Sequence, residues 1–67
     1  MCGIFGYFGF KSTEKTLEAL KFLEYRGYDS AGFACLNSNS LYISKKTGAP
    51  SEISWSAPSS HISIGHT

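Results

Sequence analysis

From Ile4 to Phe10 the chain sets apolar and aromatic residues around two glycines, in the order Ile-Phe-Gly-Tyr-Phe-Gly-Phe. The run predicts a buried strand in which Gly6 and Gly9 permit close backbone approach. Lys11-Ser12-Thr13-Glu14 then reads as a turn and a helix start. Ser12 or Thr13 is the expected N-cap, and Glu14 is favourable in the first turn. Leu17, Leu20 and Leu23 recur at helical spacing and form one apolar stripe, which predicts core packing. Glu14, Lys15, Glu18 and Lys21 take the remaining face, where opposite charges meet three residues apart. The helix is expected to stop near Arg26-Gly27, since glycine accepts the left-handed conformation common just past a helix end. Tyr28-Asp29-Ser30 follows as a loop rich in side-chain oxygens. Gly32–Leu36 and Leu41–Ser44 are β-prone runs separated by Asn37-Ser38-Asn39-Ser40, and together they predict a hairpin. Thr47-Gly48-Ala49-Pro50 breaks the pattern. The serine-rich stretch 51–60 reads as loop with room for one helical turn. Ile62-Ser63-Ile64 alternates and predicts a final strand.

This order of strand, helix, hairpin and strand implies an α+β fold with its helix on one side of the sheet. The other face of such a sheet is left open. At 67 residues the chain holds at most one small domain. A chain of that size buries only roughly 60% of its unfolded surface. Yet Phe5, Tyr7, Phe8, Phe10, Phe22, Tyr25, Tyr28, Phe33 and Trp55 all need cover. Either a partner supplies it or more chain does.

Charge narrows the function classes. The net charge is +1 with the basic residues scattered, and Lys45-Lys46 is the only basic pair. That pair reads as a solvated strand end rather than a nucleic-acid patch. Two cysteines and two histidines (Cys2, Cys35, His61, His66) show no metal-ligand spacing, so neither a metal site nor a cofactor is expected. A Cys2–Cys35 disulfide is open on sequence alone, but nothing points to it. Cys35 falls inside a strand run and reads as core. No secretory signal and no run of about 20 apolar residues is present, which makes a membrane role unexpected and a reducing cytoplasmic setting the default.

Cys2 stands apart, because a fraying terminus is a poor place to bury a thiol. Initiator methionine is removed when the next side chain is small, and cysteine qualifies. Removal would leave an α-amine and a thiol on one residue, with ordinary pKa values of about 7.7–8.0 and about 8.5. The amine can take the thiol proton directly or through one water, which is the terminal-amine form of nucleophile activation. The thiolate can then attack a carbonyl and form a thioester that water resolves. Gly3 leaves room for a substrate beside it.

Two stretches sharpen that reading. Met-Cys-Gly-Ile-Phe-Gly-Tyr (1–7) resembles the processed start of class II glutamine amidotransferases, which are amino-terminal-nucleophile (Ntn) hydrolases. Leu23–Gly32, Leu-Glu-Tyr-Arg-Gly-Tyr-Asp-Ser-Ala-Gly, is more specific and resembles the signature of the glutamine–fructose-6-phosphate aminotransferase (isomerising) family. Ile64-Gly65-His66-Thr67 matches the opening of a third motif of that family, which continues Arg-Trp-Ala-Thr-His-Gly.

The resemblance implies that residues 1–67 are the amino-terminal portion of a four-layer αββα glutaminase domain. It implies that Cys2 is the nucleophile releasing ammonia from glutamine. Separate sugar-isomerase domains, absent from these 67 residues, then convert fructose 6-phosphate to glucosamine 6-phosphate. Arg26 is expected near the pocket as a substrate-binding residue, with a purely structural bridge from helix end to loop as its other open role. Asp29 and Ser30 are expected to fix their loop through local backbone hydrogen bonds. His66 and Thr67 are expected to support the glutamine-binding loop. The arginine that grips the glutamine carboxylate, the asparagine–glycine oxyanion hole and the aspartate for the substrate amine are implied to lie beyond Thr67. The 67 residues alone are therefore expected to be inactive. The partners implied are the rest of the glutaminase domain, the isomerase domains and further copies in a homo-oligomer. The stretch 51–60 departs from the family's usual run. The alternative reading is a truncated, inert remnant or an association partner without catalysis.

Overall fold

The computed structural model describes residues 2–67; the removal of Met1 concerns a residue outside them. Strand β1 (Ile4–Phe8) leads into helix α1 (Ser12–Glu24). Strands β2 (Ser30–Asn37) and β3 (Ser40–Thr47) form the hairpin. A single 3₁₀ turn (Pro50–Glu52) opens the serine-rich stretch, and β4 (Ile62–His66) closes the order. All pairings are antiparallel, and the sheet runs β1-β4-β2-β3. The last strand is thus inserted between the first two, with Gly6 opposite Ile64 on one side and Ala34 opposite Ile64 on the other.

The α+β expectation holds: one helix backs one face of a mixed-order antiparallel sheet. Three local expectations need correction. β1 is an edge strand rather than a buried one, with Ile4 and Phe8 each 81% exposed. It also ends at Phe8: the chain bends at Gly9 (φ 153°), although the Gly9 N–H still donates to the His61 carbonyl at 2.6 Å, in line with the β1–β4 register. The helix cap is neither Ser12 nor Thr13. Lys11 occupies that position in the left-handed region (φ 58°, ψ 41°) and makes no side-chain cap hydrogen bond. At the far end the helix stops at Glu24, and Gly27 follows with φ 126°, a conformation that suits glycine.

Ser12 and Thr13 miss the cap because their hydroxyls face inward. Thr13 Oγ1 donates to the Pro58 carbonyl at 2.6 Å and lies 2.7 Å from Ser60 Oγ. Ser12 Oγ lies 2.6 Å from Ser60 Oγ, and Thr16 Oγ1 2.6 Å from Ser63 Oγ. Ser63 Oγ donates to the Ser12 carbonyl at 3.0 Å. A hydroxyl has one proton, so the directions follow. Ser60 donates to Thr13, Ser12 to Ser60, and Thr16 to Ser63. These hydroxyls make a polar seam that stitches α1 to β4 and the segment before it.

Beside the seam lies the apolar core. Leu20 is fully buried, and Phe33 and Cys35 are nearly so, with Leu17, Leu23, Tyr42, Trp55 and Ala57 packed against them. Phe33 meets Trp55 edge-on at 6.2 Å between ring centres and Tyr42 tilted at 6.2 Å. Burying one such ring stabilises the fold by roughly 1.5–3 kcal/mol. Glu24 fastens the 3₁₀ turn to the helix end by accepting from Ser51 N–H at 2.9 Å and Ser51 Oγ at 3.1 Å.

The sheet's second face is uncovered and apolar. Phe8, Leu36, Leu41, Ile43, Ile62 and Ile64 are all exposed there. The pairing Ile64–Ala34–Ile43 runs across three strands as one apolar row. A sheet that alternates apolar with apolar is built to be covered on both sides.

Candidate functional site

Cys2 is exposed and free; Cys35 is buried and free, its Sγ facing the Pro58 carbonyl at 4.0 Å. No disulfide joins them. Cys35 therefore has the core position expected of it, and Cys2 is the accessible thiol.

The register places Cys2. Ile4 pairs with His66, and one step further Thr67 N–H donates to the Gly3 carbonyl at 3.0 Å. The start of β1 and the end of β4 thus lie side by side. Gly3 packs on the helix, since a Cβ there would meet Leu23 Cδ2 at 2.9 Å. On the next strand across, Gly32 pairs with His66. Its missing side chain makes space for the His66 ring, whose Cδ2 would lie 2.8 Å from an added Cβ. β2 begins at Ser30, so the loop ahead of it arrives at the same end of the sheet.

The result is a cleft of about 270 Å³ lined by Cys2, Tyr28, Asp29, Ser30, His66 and Thr67. Three stretches distant in sequence converge there: the Cys-Gly start, the Tyr-Asp-Ser loop and the His-Thr strand end. The loop is held by main chain, with the Asp29 carbonyl accepting from Gly48 N–H at 3.2 Å. A larger groove of about 420 Å³, between the start of α1 and the tip of the hairpin, contains no cysteine. Chemistry favours the smaller cleft, because the thiol is there.

Arg26 is exposed and follows the helix end, its N–H donating to the Leu23 carbonyl at 3.0 Å. It does not line the cleft. Tyr28 does, a position for which the sequence offered only a loop. Thr67 also does, and its hydroxyl has no hydrogen-bond partner among the described residues. Nothing in the pattern of residues signals that; it emerges only from the strand register. Among the described residues, no group of three or more His, Cys, Asp or Glu side chains is placed to hold a metal ion. No helix among them is long and apolar enough to cross a membrane.

The arrangement defines a class of segment: a helix-backed antiparallel sheet that gathers an accessible amino-terminal thiol, a polar loop and a strand end into one cleft. No family model matches the chain, and neither does any solved structure. Curated relatives do. The chain is 46% identical over 71 residues to the glutamine–fructose-6-phosphate aminotransferase (isomerizing) of Chlamydia muridarum (strain MoPn / Nigg). It is 51% identical over 72 residues to the enzyme of that name from Chlamydia trachomatis serovar D, and 44% over 72 residues to that of Staphylococcus aureus strain Mu50. Each match covers all of this chain and 12% of the relative, its amino-terminal part. The chain is therefore similar throughout to the amino-terminal segment of these enzymes. The shared name supports membership of the glutamine–fructose-6-phosphate aminotransferase family.

Proposed function

We propose that this chain is the amino-terminal segment of the glutaminase part of a glutamine-dependent aminotransferase, with Cys2 as its nucleophile. The observation that carries the reading is the convergence of Cys2 with the Tyr28–Ser30 loop and the His66–Thr67 strand end in one cleft. Each of these stretches belongs to a motif that resembles the same family, and they lie together only because β4 inserts beside β1 and β2.

The chemistry follows from the residue. With the residue ahead of Cys2 removed, the α-amine takes the thiol proton and the thiolate attacks the carboxamide carbon of glutamine. The tetrahedral intermediate collapses as the ammonium returns its proton to the leaving nitrogen, and ammonia departs. Water, deprotonated by the same amine, opens the thioester to glutamate and restores the thiol. The ammonia is used by the isomerase domains to convert fructose 6-phosphate to glucosamine 6-phosphate. Arg26, just ahead of the cleft loop, is the candidate for a substrate contact once the remaining chain is in place.

The apolar second face of the sheet supports the fold reading, since a second sheet packed there, with its own helices outside, completes four αββα layers. The cover this face calls for is the rest of the glutaminase domain; the isomerase domains and further copies of the chain are the partners the family resemblance implies. The test is Cys2→Ala in the full-length enzyme. Glutamine hydrolysis is expected to fall to background while fructose 6-phosphate binding persists. Glutaminase turnover that survives the substitution defeats the proposal.

A further inference from the structure

Two hydrogen-bonded grips hold the ends of loop 25–29, which carries Tyr28 and Asp29 from α1 to β2. At its start the Glu24 carboxylate accepts from Ser51 with both oxygens. Oε1 takes the backbone N–H at 2.9 Å and Oε2 the hydroxyl at 3.1 Å. At its end the Asp29 carbonyl accepts from Gly48 N–H at 3.2 Å. Both grips come from one short stretch, residues 48–51, which is itself anchored. Ala49 and Pro50 are buried. The Trp55 indole N–H donates to the Pro50 carbonyl at 3.3 Å, and the Trp55 ring packs edge-on against buried Phe33. A line of contacts thus runs from the core through Trp55 and Pro50 to both ends of the loop. Glu24 also stands against its local preference. It is the last residue of α1, where the carbonyl ends carry partial negative charge and an acid is disfavoured. A residue that breaks a local rule and finds its partner far along the chain marks a tertiary role.

We propose that Glu24 is a positioning residue for the cleft: through Ser51 it fixes loop 25–29, so that Tyr28 and Asp29 stand where glutamine is held beside Cys2. This deepens the reading of Cys2 as a glutaminase nucleophile and rests on it. Glu24 does not line the cleft, whereas Tyr28 and Asp29 do. It therefore acts on how the substrate is held and not on the reactivity of the thiol. Ser51 is exposed, so the contact adds little to global stability and its main consequence is the geometry of the loop. The carboxylate suits that task. Its two oxygens meet two donors of one residue, which fixes orientation as well as distance. Without it, only the Gly48 contact ties the loop to this stretch by a backbone hydrogen bond, and the loop can pivot about that point.

The experiment measures glutamine hydrolysis by the full-length enzyme for wild type, Glu24→Ala, Glu24→Gln, Ser51→Ala and the double variant Glu24→Ala with Ser51→Ala. Modification of Cys2 by iodoacetamide, a small reagent that needs no binding site, is followed alongside by peptide mass. Glu24→Ala is expected to raise the KM for glutamine about 10-fold, with kcat and the iodoacetamide rate within about twofold of wild type. Glu24→Gln keeps an acceptor oxygen and is expected to restore most of the KM. Ser51→Ala is expected to raise KM about threefold, and the double variant to be no worse than Glu24→Ala, since one contact is lost in both. A residue that only supports the fold would lower the amount of folded enzyme and leave the KM of the remainder unchanged. Glu24→Ala with an unchanged KM, or a double variant whose KM rises by the product of the single effects, overturns the Glu24 proposal. Should Glu24→Ala not fold, Ser51→Ala at its exposed position carries the test, and an unchanged KM there overturns it. Failure of a glutamine-like diazoketone to label Cys2 in the wild-type enzyme overturns the nucleophile reading instead, so the two failures are distinct.

Discussion

The His66 ring lies on the α-carbon of Gly32, in the space a side chain there would fill. The pair sits opposite in the β2–β4 ladder, at the end of the sheet where Cys2 is found. Gly65, next along β4, is also closely approached, but by buried atoms: a Cβ would meet Leu20 Cδ2 at 2.9 Å and Thr16 Cγ2 at 3.0 Å. His66 is exposed and can swing outward; Leu20 is fully buried and cannot. Gly65→Ala is therefore expected to destabilise by about 1–3 kcal/mol through overpacking. Gly32→Ala should cost under about 1 kcal/mol while moving His66 and lowering glutaminase activity. Calorimetry and glutamine hydrolysis on both variants of the full-length enzyme check this. A larger loss of stability from Gly32→Ala would show that the His66 ring is held in place.

The seam between α1 and β4 makes a second prediction. Ser63→Ala leaves Thr16 Oγ1 without its acceptor and the Ser12 carbonyl without its side-chain donor, at about 1–3 kcal/mol. Thr16→Val likewise strips Ser63 of one partner. Removing both hydroxyls leaves fewer stranded groups than the sum of the single changes implies. The double variant is expected to be about 1 kcal/mol more stable than additivity predicts. A double-mutant cycle by thermal unfolding measures this, and strict additivity would mean the two hydroxyls act independently.

That seam also marks what the sequence conceals. The helix stripe at Leu17, Leu20 and Leu23, the hairpin and the last strand are legible because apolar period and turn residues coincide there. Ser12 and Thr13 mislead: a hydroxyl ahead of an apolar stripe reads as a cap. Here the same hydroxyls find partners 45 or more residues away, in Pro58 and Ser60. Local chemistry loses to tertiary contact, and the cap falls to Lys11. The candidate site divides the same way. Cys2 is legible from its position in the chain and from resemblance. The cleft is not, since the insertion of β4 between β1 and β2 is a choice of topology that no local pattern encodes.

Retaining methionine ahead of Cys2 makes a third test, separable from removal of the thiol. The sulfur is kept, but the α-amine becomes an amide nitrogen that cannot accept a proton. With a general base typically contributing about 10²–10⁴ in rate, glutamine hydrolysis in the full-length enzyme is expected to fall by at least about 100-fold. The isomerase domains should fold and bind sugar phosphate unchanged. Intact mass establishes that the methionine is present, and an ammonia assay gives the rate. Activity close to that of the processed enzyme would exclude the amine as the base.

The uncovered sheet face sets the behaviour of the 67 residues by themselves. Phe8, Leu41, Ile43 and Ile64 are 59–81% exposed on one surface, with Leu36 and Ile62 beside them. Contiguous apolar surface of this kind drives association. The isolated chain is expected to bind hydrophobic dye, to aggregate as concentration rises, and to hydrolyse glutamine no faster than buffer. Ile43→Lys with Ile64→Lys breaks the row Ile64–Ala34–Ile43 and should keep the isolated chain monomeric. In the full-length enzyme the same pair of changes buries two charges against whatever covers the face, at several kcal/mol each, and should prevent folding of the glutaminase part. Light scattering of the fragment and expression of the intact enzyme read the two effects. A full-length double variant that folds and hydrolyses glutamine normally would mean the face is open to solvent in the working protein, and the second sheet proposed above would have no place to pack.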